Sequence, residues 1–207
     1  MNGEIDAPSV TVASDTQQTP VIGGPATRPL LARLFWWVVL LPIAMFVAIA
    51  IHSLYLLDFA HVFAGCLWTG TDIFMGFFIG PVMRRLAPDQ RKAFIQWMVP
   101  KTMLYLPVLA FTTGTGGWVL ANWDGYLLPS NPERYWIYGA LFLITILTIQ
   151  GFGVLLPNSI RIYLELRKAQ PDMDKVTRLN RRSNRLAGLQ GILQIVIILV
   201  MAQLATS

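Results

Sequence analysis

Residues 54–83 read LYLLDFAHVFAGCLWTGTDIFMGFFIGPVM, thirty positions that hold two acids, one histidine and no lysine or arginine, before Arg84 and Arg85 close the run. At 1.5 Å per helical residue such a stretch covers the roughly 30 Å hydrocarbon core of a bilayer with length to spare. It reads as a transmembrane helix. Three further segments of the same kind follow, at about residues 93–121, 135–157 and 186–205, and one precedes it, at residues 34–51. Five crossings of an all-α polytopic membrane protein are the expectation.

Composition agrees with this reading. Of the 207 residues, 55% are hydrophobic and 13% charged, against roughly 25% charged in a soluble domain. The charges are clustered, leaving the apolar runs bare. Residues 1–27 are rich in Ser, Thr, Pro and Gly without apolar periodicity and read as a disordered tail, which leaves residues 28–207 as one transmembrane domain. Ala48-Ile49-Ala50 imitates a signal-peptidase site, but the long leader before the apolar run favours an uncleaved first helix. Pro100 and Pro107 fall inside the third segment, where neighbouring helices can compensate for the lost backbone bonds. The polar stretch 158–185 is expected to extend the fourth and fifth helices beyond the bilayer.

The net charge of +5 flanks the apolar spans, which argues for lipid head groups and against nucleic acid. Arg84, Arg85, Arg91 and Lys92 crowd the loop after the second segment. Arg161, Arg167, Lys168, Lys175, Arg178, Arg181, Arg182 and Arg185 crowd the connection after the fourth. The loop 122–134 has only Arg134, and the link at Ser53 has none. Positive-inside logic then sets the N-terminus in the cytoplasm and the C-terminus outside. The single Cys66 excludes an internal disulfide and a thiolate metal cluster.

Intramembrane polar groups are costly and therefore mark function. Asp72 lies at mid-helix on a side chain too short to reach water. Lys101 lies two turns into the next helix, and a buried ion pair between the two is expected, as a structural clamp or as part of a proton or redox path. His61, Gly65, Trp68 and Asp72 recur at i, i+4, i+7 and i+11, so they share one face, which Gly76 extends. A histidine followed by glycine one turn on could leave a flat gap beside a metal ligand, with Trp68 as its floor, which suits a haem. The same stripe equally suits close helix packing, with the histidine bonded to a neighbouring carbonyl. His52 reads as an interfacial residue and, less favourably, as a second axial ligand. Met75, Met83, Met98 and Met103 read as core filling in preference to a thioether path for copper. Gln190 and Gln194, an i, i+4 pair, and Gln150 with Thr148, read as interhelical hydrogen bonds or the lining of a polar cavity.

The segment His61-Val-Phe-Ala-Gly-Cys-Leu-Trp-Thr-Gly, followed by Phe74 through Pro81 and Arg84, resembles the opening helix of a group of small bacterial membrane proteins. The group includes the CopD copper-resistance domain, the HemJ type of protoporphyrinogen oxidase, and the haem-linked membrane portion of bacterial urate oxidases. The Thr-Gly-Thr-Gly-Gly stretch and the basic Arg-Leu-Asn-Arg-Arg-Ser-Asn connection are similar in outline, so the resemblance covers about residues 54–205 and leaves the first helix as an addition to a four-helix core. It implies a haem b ligand at His61. The HemJ proteins also use a lysine early in the third core helix, and residues 135–141 hold none, a departure that weakens the case for protoporphyrinogen oxidation. The resulting expectation is a cytoplasmic-membrane protein that binds haem b through His61, with Gly65 and Trp68 shaping the pocket and Asp72 and Lys101 as buried charge. It would serve electron transfer or membrane redox chemistry with a redox partner. Whether it is itself an enzyme is open. A transporter of copper or another small solute, and a non-catalytic subunit of a larger membrane complex, are the alternatives.

Overall fold

The structure, a computed structural model, describes residues 36–206; the tail at 1–27 and the first two residues of the opening apolar run lie outside the described residues. Five helices and no strand are found among them. Helix α1, Trp36–Ala50, opens with a 3-10 turn. It is followed by α2, Leu54–Arg85, and α3, Pro88–Trp123. Then come α4, Arg134–Glu165, and α5, Met173–Thr206.

Local chemistry sets each boundary. α1 ends in a Schellman turn: His52 takes a left-handed φ of 51°, its N–H donates to Ile49, and the Ser53 N–H donates to Ala48. Ser53 Oγ then accepts from Leu56 N at 3.4 Å and caps α2. At the far end of α2 the Arg91 side chain donates to the carbonyls of Met83 and Leu86 at 3.0 and 3.1 Å, while Pro88 begins α3 where its missing N–H costs nothing. Between α4 and α5 the Glu165 carboxylate is clasped by Lys175 at 2.7 Å and Lys168 at 2.9 Å.

Two helices carry a proline just after a widened turn. α2 passes through Pro81 to Arg85, and α4 passes through Pro157 to Glu165. In each a π turn comes just before the proline, at Phe74–Ile79 and at Gly151–Leu155. Proline lacks the N–H for the carbonyl four residues back and its ring presses on that carbonyl. Those carbonyls belong to Phe77 and Gly153, inside the widened turns, so the helix loosens there instead of breaking. Pro100 and Pro107 lie within unbroken α3. As expected, the polar stretch 158–185 lengthens both flanking helices.

α2 is the centre of the bundle and packs on α1, α3 and α5; α4 lies along α5 and meets α3 at its second half. Among the apolar residues of the interior lie buried polar groups, Asp72, Thr112, Asn158, Asn184, Gln190 and Gln194. The exterior is apolar, with Phe74, Phe77, Phe78, Phe142, Ile149 and Leu199 all exposed. So large an apolar exterior, with polar groups kept inside, is the solution for lipid, not for water. α2 to α5 are each long and apolar enough to cross a membrane, about 48 Å or more at helical rise. The chain is a multi-pass membrane protein. α1 is shorter, 15 residues from Trp36 to Ala50, or about 22 Å.

Candidate functional site

Two polar centres lie on one face of α2, eleven residues or about 16 Å apart. The deeper is Asp72, fully buried. The side-chain amides of Gln190 and Gln194 on α5 both donate to its Oδ2, at 2.9 and 3.1 Å. The Trp68 side chain, one turn back and 3% exposed, adds a weaker polar contact. Backbone proximity makes this possible. A Cβ on Gly76 would lie 2.3 Å from Gly188 Cα, and one on Gly191 would lie 2.8 Å from the Ile73 side chain. The two helices therefore touch at glycines, and the amides on α5 are carried up to the carboxyl.

Lys101 is not the partner of Asp72. The aspartate's hydrogen bonds go to Gln190 and Gln194, whereas the Lys101 ammonium lies over the Trp97 ring, 5.7 Å from its centroid. The antiparallel pairing of α2 with α3 accounts for the difference. It sets His61 beside Gly116 and Gly65 beside Thr113, which puts Asp72 level with residues near Tyr105 and leaves Lys101 about a turn further on.

The second centre is His61. Its Nδ1 is 2.8 Å from the Thr113 carbonyl oxygen. A carbonyl can only accept, so Nδ1 is the donor and a neutral ring carries its lone pair on Nε2. The imidazole lies on Gly116 and Gly117; a Cβ at Gly117 would meet the ring's Cε1 at 2.7 Å. Only glycine fits there. The gap expected beside Gly65 is taken by the Thr113 methyl, 3.4 Å from where a Gly65 Cβ would be. Trp68 packs with Val38, Ala64, Leu109 and Leu147 in a buried cluster. His61, Gly65 and Trp68 thus share a face as their spacing required, but Gly65 and Trp68 serve helix packing.

His52 is elsewhere: exposed, with its ring stacked on Trp123 at 5.4 Å and 11°. Among the described residues no three His, Cys, Asp or Glu side chains gather. A metal held at His61 would thus draw at most two ligands of that kind from the described residues. A porphyrin iron, which brings four nitrogens of its own, fits that donor set; a bare metal ion does not. Sequence reasoning noticed Gln190 and Gln194 but not their target, and the one available signal was their shared face. Comparison with family models, with curated proteins and with solved structures finds no match.

Proposed function

We propose that the chain is a five-span protein of a bacterial inner membrane that binds haem b through His61 and carries electrons within the bilayer for a redox partner. One observation supports this above the rest. The Thr113 carbonyl holds the Nδ1 proton at 2.8 Å, which fixes the tautomer and orientation of a ring whose Nε2 is then the ligand atom. Histidines that ligate metals almost always have their second nitrogen occupied in this way. Gly116 and Gly117 admit the imidazole between α2 and α3. Haem held by His61 would supply a one-electron couple, its potential tuned by that imidazole and by the apolar side chains around it. The resemblance of the helix around His61 to haem-binding membrane proteins points the same way.

The orientation belongs to the same proposal. The α2–α3 loop and the projecting ends of α4 and α5 carry the basic residues, whereas residues 124–133 between α3 and α4 carry none. With α1 as the first crossing, this sets the N-terminus inside. Protein expressed with haem supply and purified in detergent is expected to show a Soret band that His61→Ala abolishes and His52→Ala keeps. A colourless wild-type protein, or an unchanged spectrum in His61→Ala, overturns the assignment.

A further inference from the structure

Beyond the two amides and the weaker contact of Trp68, the Asp72 centre is left with unmet acceptors. Both amide N–H groups are directed at Oδ2, so the oxygens of both amides face away from it. Asp72 Oδ1, Gln190 Oε1 and Gln194 Oε1 are all buried, and no protein donor reaches any of them. The three side chains are 0%, 2% and 3% exposed. Each unsatisfied buried acceptor is costly, and a lone carboxylate away from water costs more. Asp72 forms no ion pair with any described residue. A π turn, a feature frequent at functional sites, begins two residues after it.

We infer that this centre is a binding site for a small monovalent metal cation such as sodium. The reasoning is by count and by charge. A cation needs acceptors and no donor, and carboxylate with amide oxygens is the donor set that hard cations prefer. A proton on Oδ1 could satisfy that oxygen and one amide oxygen, leaving the other unmet. Reversing an amide to change this would turn its oxygen toward Oδ2, which is repulsive unless the acid is neutral. One carboxylate balances one positive charge; a divalent ion would leave a net charge buried in the bundle. The cleft that starts at Gly76 and Gly80 opens among Arg84, Arg91, Arg181 and Arg185, whose charge opposes cation entry from that side.

The inference is independent of the haem reading, and one experiment addresses it. Full-length protein is purified throughout in choline chloride, then melted in NaCl, KCl or choline chloride at equal ionic strength. Sodium at about 100 times its half-saturating level is expected to raise Tm by about 5–10 °C over choline. Asp72→Asn removes the effect, Gln194→Leu reduces it, and His61→Ala keeps it. Should the site variants fail to fold, the wild-type series decides alone: equal Tm in all three salts overturns the inference. So does an infrared band of a protonated carboxyl in sodium-containing wild type that disappears in Asp72→Asn, since that assigns a proton to the site.

Discussion

Single glycines differ sharply in what they tolerate, and the difference is measurable. At Gly117 a methyl group would sit 2.7 Å from the His61 ring, whereas at Gly70 nothing lies within 4 Å. Gly117→Ala is expected to cost about 1–3 kcal/mol through overpacking and to weaken any haem band. Gly70→Ala should be neutral or stabilise by up to about 1 kcal/mol through helix propensity. Detergent-solubilised melts of the two variants side by side check this, and similar costs at both positions would contradict the packing described. The inward direction of Asp72 and His61 was legible in the sequence, because a carboxyl and an imidazole flanked by apolar turns have nowhere else to face. Their partners were not. Proximity in sequence pointed from Asp72 to Lys101, but the true donors come from a helix more than a hundred residues later. Nothing short of the Gly76–Gly188 contact reveals which face of α5 meets α2.

Helices in this fold absorb prolines by widening, and that makes a prediction about deletions. A π turn takes in one more residue than an α turn, so removing one restores the ordinary spiral without turning the flanks. Deleting Phe78, exposed in the middle of the π turn, is expected to leave Asp72 facing α5 and Met83 in its cluster with Ile95, Val99 and Ile162. Deleting Val62, equally exposed but in regular α-helix, rotates one side of α2 against the other by about 100° and should unfold the bundle. Expression yield and gel-filtration profile in detergent distinguish the two; equal damage would show that the π turn is no insertion. The long helices were plain from hydrophobic length, and so was the extension of α4 and α5 by the polar stretch between them. The π turns before Pro81 and Pro157 were not, because the cost of proline is local, whereas the relief is supplied by the neighbouring turn and by packing against α5.

At the scale of the whole bundle, composition alone announced a membrane protein, and loop charges gave an orientation that cysteine labelling can check. In a Cys66→Ala background, cysteines placed at Asp89, Ser130 or Gln170, all exposed, are offered an impermeant maleimide on intact cells. Ser130→Cys is expected to react, whereas Asp89→Cys and Gln170→Cys should react only after lysis; the opposite pattern would invert the topology. The backbone contact of Gly76 with Gly188 also has a mechanical meaning. It is a fulcrum: α5 can rock on α2 there but has little room to slide. A swing of 10° about that point would move the far end of α5, eighteen residues away, by about 5 Å. Gln190, only two residues from the pivot, would travel about 0.5 Å. Gln194, six residues away, would travel about 1.6 Å, so such a swing leaves the carboxyl with its Gln190 amide and loosens the Gln194 one.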